Sequence, residues 1–182
     1  RPSRETSEMT VPFRRLWLTS VSAGVPCLTL TSYAYSDDFV VDGPETTTQT
    51  VDGDDTLTIT EDGSITTTGN NEHGVESSGD ENTIINGGTI LTEGSGAYGI
   101  NSTGDYATIT NNGKIDAEIG VFNDQGNGTT IVNKGTIEAE LAGIINSLGG
   151  KVTILNSGVI NAGSDGIQNL DSPEEVTIIN SG

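Results

Sequence analysis

The sequence predicts an all-β protein, a right-handed parallel β-helix of about five to six coils of 22–25 residues, on three observations. A phrase recurs along the chain at a near-constant period, aliphatic residues alternate with polar ones inside each copy, and aromatics are only 4% of residues while Gly, Thr, Asn and Ile carry the pattern.

The recurrence is visible in TITNNGKIDAE, residues 108–118, and TIVNKGTIEAE, residues 130–140. Aligning copies on the glycine of T-I-x-N-x-G-x-I places Gly63, Gly88, Gly113, Gly135, Gly158 and Gly182 in one column, at spacings of 25, 25, 22, 23 and 24 residues. Four positions earlier stand Ile59, Ile84, Ile109, Ile131, Ile154 and Ile178; two positions later stand Ile65, Ile90, Ile115, Ile137 and Ile160. A second glycine column, Gly74, Gly99, Gly120, Gly143 and Gly166, is followed at once by Val or Ile and two residues later by Ser or Asn. A fixed period of this size is the signature of a solenoid, in which a unit too short to bury its own apolar face shares a core with its neighbours.

Within a copy the period is two. In Ile137-Glu138-Ala139-Glu140-Leu141 the apolar residues are expected to point one way and the glutamates the other. Ile, Val and Thr favour extended backbone, and Gly and Asn are the residues expected to supply left-handed corners. Each unit is therefore expected to hold three short strands. Between Pro44 and Pro173 no proline removes a ladder donor. Asn86, Asn111, Asn133, Asn156 and Asn180 should stack their amides along one corner, and the isoleucines should stack inside.

Charge and the leader narrow the function classes. The formal net charge is −19, and beyond Ala34 only three lysines face 24 carboxylates. That balance excludes nucleic acid and anionic lipid as partners, since phosphate binding needs clustered Lys and Arg. Residues 9–34 read as a signal peptide: Arg14 and Arg15 form a positive start, an apolar stretch follows, and Ser32-Tyr33-Ala34 offers the small residues of a cleavage site. The pair Arg14-Arg15 alone does not make a twin-arginine signal. Pro26 before Cys27 argues against a lipoprotein. Residues 1–8 precede a plausible initiator Met9 and are read as extraneous. Cleavage after Ala34 removes Cys27 and leaves no cysteine, so stability has to come from the repeat rather than from disulfides. Residues 35–55, acidic and Thr-rich, read as an N-terminal cap or linker that covers the open edge of the first coil, and residues 56–182 as the repeats.

The N-x-G-x-I phrases (INGGTI, TNNGKI, VNKGTI, LNSGVI), alternating with G-I/V-x-N phrases such as Gly143-Ile144-Ile145-Asn146 behind a signal peptide, resemble the passenger domains of autotransporters. The resemblance covers about residues 56–182. It implies export, a cysteine-poor β-helix, a secreted or cell-surface location at the outer membrane, and a non-enzymatic role as stalk or adhesin with host-surface or self-association partners. It also implies an outer-membrane barrel further along the chain; because Asn180-Ser181-Gly182 opens the phrase of another coil, the sequence is expected to be truncated at its C-terminal side. The alternatives are a secreted structural or matrix solenoid and a polysaccharide-degrading β-helix enzyme.

Candidate chemistry is sparse. Asp116 and Glu118 are expected to align with Glu138 and Glu140 one coil on, and such outward carboxylates, about 5 Å apart, could share a calcium ion through their oxygens. The ladder is two rungs deep, since Asn161 and Gly163 follow, and a solvated acidic face is the simpler expectation. No catalytic residue is expected. His73, the one histidine, sits in NNEHGVESS and reads as an exposed corner side chain, and no cationic partner for an anionic sugar substrate accompanies the carboxylates.

Overall fold

The computed structural model describes residues 36–172 and 174–182. Residues 1–8, read as extraneous, and residues 9–34, read as a signal peptide, with Cys27 and Trp17, lie outside the described residues. Among the described residues there are seventeen strands and no helix.

The strands wind as a parallel solenoid. One sheet stacks seven strands: β1 (Asp38–Val41), β4 (Thr56–Ile59), β7 (Thr83–Asn86), β10 (Thr108–Asn111), β12 (Thr130–Asn133), β14 (Thr153–Asn156) and β17 (Thr177–Asn180). The other faces hold β2 (Pro44–Glu45), β3 (Gln49–Asp52), β5 (Ser64–Thr67), β6 (Val75–Ser78), β8 (Thr89–Thr92) and β9 (Tyr98–Ser102), then β11 (Lys114–Asp124), β13 (Thr136–Ser147), β15 (Val159–Ala162) and β16 (Ile167–Leu170). All pairings are parallel, so every coil lies on the one before it. The expected three strands per coil hold in most coils. In two of them the second and third strands fuse into β11 and β13, of 11 and 12 residues, each a continuous strand through its glycine.

The core is the predicted aliphatic stack. Ile115 pairs with Ile137 and Ile137 with Ile160, while Ile109, Ile131 and Ile154 stack in the facing sheet. Ile65, Ile90, Ile115, Ile137 and Ile144 are fully buried. Burying one such side chain is worth about 1.5–3 kcal/mol, and the period multiplies it.

Three details depart from the expectations. Ile59 is not in the column of Ile84: Leu57 pairs with Ile84, and Ile59 pairs with Asn86. The reason is the turn after Ile59, which takes two more residues to reach Gly63 than Asn86 takes to reach Gly88. Leu141 does not point inward either. It is 49% exposed, because the pairing slips between Ala117↔Ala139 and Ile119↔Ala142, placing one extra residue in β13. The two glycine columns, finally, are not the left-handed corners. Positive φ falls instead outside those columns, at Gly53, Asn71, Gly79, Gly96 and Gly128, where Gly and Asn supply left-handed corners as expected, and at Asp54, Glu81, Tyr106, Gln125, Leu148, Lys151 and Asp171. A Cβ at Gly113 would land on the Gly88 carbonyl, and one at Gly120 would land on Ile137 Cγ2, so these glycines are required for close approach of neighbouring coils.

The segment expected to be a cap or linker is a coil in its own right. Strands β1, β2 and β3 pair in register with β4, β5 and β6, and Val41 and Val51 enter the core. Buried Asp55 joins this coil to the stack, its carboxylate accepting from the Asp37 and Asp52 N–H groups at 2.8 and 3.1 Å.

The asparagine column forms the expected ladder. Nδ2 of Asn86, Asn111, Asn133 and Asn156 each donates to Oδ1 of the next asparagine, at 2.8, 2.8, 2.7 and 2.8 Å. The Ser/Asn column of the G-I/V-x-N phrase behaves the same way once it becomes asparagine, with Asn123 to Asn146 and Asn146 to Asn169 both at 2.7 Å. Where Ser102 meets Asn123 in register, the chain of bonds breaks: Ser102 Oγ and Asn123 Oδ1 have no partner among the described residues.

Candidate functional site

The acidic face is built by β11 and β13, whose alternation sends Asp116 and Glu138 outward between buried Ile115 and Ala117 and between Ile137 and half-buried Ala139. Asp116 and Glu138 pair in register as expected. The second rung does not form in register, because the extra residue in β13 sets both Glu140 and Leu141 against the single Glu118. Glu118 and Glu140 instead line a small surface cleft with Thr92, Glu93, Gly94 and Ser95.

Three of these carboxylates already have protein partners. Lys114 Nζ reaches Asp116 Oδ2 at 2.8 Å, Asn161 Nδ2 donates to Glu138 Oε1 at 2.9 Å, and the Gly96 N–H donates to Glu118 Oε2 at 2.7 Å. The hydrogen bond to Asp116 raises the Lys114 pKa, with the charges of Asp116 and Glu138 adding to it and burial opposing. This lysine thus supplies the positive charge that relieves the first rung. Among the described residues no group of three or more His, Cys, Asp or Glu side chains is placed to hold a metal ion.

His73 is half-buried, not the exposed corner side chain expected. Its Nδ1 accepts from the Tyr98 N–H at 2.9 Å, and its ring stacks on Tyr98 with centroids 4.7 Å apart and planes at 23°. Tyr98 in turn meets Phe122 at 5.0 Å. Both rings pack against Ile119, Ala142 and Ile145, an apolar cluster separate from the main core. The signal was present in the outward position of the G-I/V-x-N phrase, which runs Glu76, Asn101, Phe122, Ile145, Gln168 and so turns apolar in the middle coils.

Burial lowers the His73 pKa from 6.5, with the Glu76 charge partly opposing. A neutral ring is also what the geometry requires, since a protonated Nδ1 could not accept from Tyr98. A histidine whose folded pKa lies below the unfolded value contributes stability that is full above about pH 6.5 and is lost as pH falls toward the folded value. The difference in melting temperature between wild type and His73→Gln is therefore expected to shrink from pH 7.5 to pH 5. A difference independent of pH would contradict this assignment.

Fold and register together define a parallel β-solenoid. The chain matches no protein-family model, and neither curated proteins nor solved structures give a match.

Proposed function

We propose that the chain is the rigid part of an exported, non-catalytic protein of the autotransporter-passenger type, acting as a stalk that presents binding surfaces away from the cell. The single observation that carries this reading is the unbroken register from β1 to β17, in which every coil is bonded to the next through backbone ladders and, over the later coils, amide ladders. A structure that adds coils without changing its cross-section is suited to spanning distance. The acidic surface supports the same reading, because like charge keeps neighbouring stalks apart.

Export is tested by expressing the chain in a Gram-negative host and taking the mass of the periplasmic product. A mature chain beginning at Tyr35 is the expected result, and a cytoplasmic product retaining residues 9–34 would overturn it. This function is expected to be independent of calcium; Lys114 and Asn161 engage the first-rung carboxylates, which supports that expectation. Melting temperatures in millimolar calcium and in chelator are expected to agree within about 1 °C, a shift corresponding to a few tenths of a kcal/mol at most. A calcium-dependent rise of several degrees would restore the ladder as a metal site.

A further inference from the structure

The corner that follows the G-I/V-x-N phrase repeats in every coil but changes its chemistry along the stack. In register, Val51, Ser77, Ser102, Asn123, Asn146 and Asn169 form one inward column. The chain then turns through a column of glycines, Gly79, Gly104, Gly126 and Gly149. A Cβ at Gly104 would land on the Gly79 carbonyl, one at Gly126 would lie 2.6 Å from the Gly104 carbonyl, and one at Gly149 would lie 2.6 Å from the Gly126 carbonyl.

Three of these four carbonyls receive a side-chain amide. Asn82 Nδ2 donates to Gly79 at 3.3 Å and to Ser77 Oγ at 3.1 Å, Asn123 Nδ2 donates to Gly126 at 2.9 Å, and Asn146 Nδ2 donates to Gly149 at 2.9 Å. The coil of Gly104 lacks both sources. Its inward residue is Ser102, shorter than asparagine, and the residue matching Asn82, 25 positions on, is Ala107. Among the described residues no donor reaches the Gly104 carbonyl, and Gly104 is buried. Ser102 Oγ and Asn123 Oδ1 are likewise without a partner, in two residues that are fully buried.

These three groups belong to one place. A Cβ at Gly126 would lie 2.5 Å from Asn123 Oδ1 as well as 2.6 Å from the Gly104 carbonyl. The two oxygens are therefore within about 5 Å of each other, a separation that one water spans with two hydrogen bonds of about 2.8 Å. Ser102 has one proton to give against two acceptors, so no rotation of its hydroxyl serves both. Buried polar groups left over by the protein are satisfied by internal water, which typically makes about three hydrogen bonds. The three groups are neutral, whereas a calcium-type ion takes about six to eight oxygens.

We propose that the corner between β9 and β11 is a binding site for one buried water molecule, which accepts from the Ser102 hydroxyl and donates to Asn123 Oδ1 and to the Gly104 carbonyl. The water does for this coil what an asparagine amide does for its neighbours. It joins the serine part of the column to the ladder that starts at Asn123. The inference stands independently of the export-and-stalk reading.

Two substitutions put an amide in the place of the water. Ser102→Asn adds a rung, its Nδ2 meeting Asn123 Oδ1 and the Gly104 carbonyl as that of Asn123 meets Asn146 and Gly126. Ala107→Asn copies Asn82 across a loop of the same length and donates to Ser102 Oγ, which leaves the serine proton for Asn123 Oδ1. The test is the crystal structure of the purified full chain and of both variants, with circular dichroism to check folding. A density peak within hydrogen-bond distance of all three atoms is expected in wild type, and its loss is expected in each variant. Wild-type density with no peak there, or with Ser102 Oγ bonded directly to Asn123 Oδ1, would overturn the proposal. So would a peak ringed by the oxygens of a metal ion, or a folded variant that keeps the peak beside its new amide. Should neither variant fold, the wild-type density alone decides.

Discussion

Ile137→Asp is expected to abolish the cooperative melting of the solenoid, while Leu141→Asp, four residues along the same strand, is expected to leave it within about 0.5 kcal/mol of wild type. Ile137 is fully buried between Ile115 and Ile160. Its Cγ2 fills the space beside Gly120 where a Cβ would otherwise stand. A carboxylate there loses the packing of the whole side chain and has no donor within the aliphatic column. The cost is about 5 kcal/mol or more, comparable with the entire stability of many domains. Ile137→Val, which keeps the shape and removes one methyl, should cost about 0.5–1.5 kcal/mol. Leu141 is 49% exposed, so its substitution exchanges one solvated group for another. Urea unfolding of the three variants measures all of this. Equal losses for Ile137→Asp and Leu141→Asp would mean that β13 has no bulge and that the period-two reading of the sequence was correct after all.

That contrast marks where the sequence is legible. The column of Ile115, Ile137 and Ile160 can be read from the chain because one anchor glycine keeps a constant offset to it in every copy. Leu57 and Ile84 pair across a turn with a different number of residues, and a gap-free alignment on the glycine cannot see that. The bulge before Ala142 is similarly silent, since Ile-x-Ala-x-Leu has the same letters whether or not the backbone slips. Left-handed corners do fall on Gly and Asn at Gly53, Asn71, Gly79, Gly96 and Gly128, but not on the two glycine columns, whose reason is different. A left-handed φ is a local property that residue type suggests, whereas the contact between the Gly120 position and Ile137 joins two coils and exists only once the coils are stacked. The acidic rung Asp116–Glu138 was legible for the same reason as the isoleucines. The engagement of Lys114 with its near neighbour Asp116 was not, because period two leaves the rotamer of an exposed lysine undetermined. His73 was read from its loop context, and its stacking on Tyr98 depends on a residue twenty-five positions away.

The amide ladder gives the second large effect, through a change of a single atom. Asn111→Asp replaces the Nδ2 group that donates to Asn133 Oδ1 at 2.8 Å and to the Thr136 carbonyl at 3.2 Å. The new carboxylate still accepts from Asn86 Nδ2, but toward Asn133 and Thr136 it sets acceptor against acceptor. Turning the Asn133 amide around would offer a donor and would break its bond to Asn156 Oδ1, at 2.7 Å, passing the conflict to the next coil. The ladder has one polarity from Asn86 to Asn180, so the defect has to be carried somewhere in it. An uncompensated buried charge of this kind costs about 3–5 kcal/mol at pH 7. Protonation supplies an O–H that can donate to Asn133, so the folded state raises the carboxyl pKa above its unfolded value of about 3.9. For an acid with a raised folded pKa, stability is gained as pH falls through the folded value and the gain is complete below the unfolded one. The stability gap to wild type is therefore expected to be widest at pH 7 and to narrow steadily toward pH 4. Denaturant unfolding of the two proteins across that range decides the matter: a gap that does not change with pH would mean that the corner asparagines stack by shape alone and that their hydrogen bonds do not set the register of the coils.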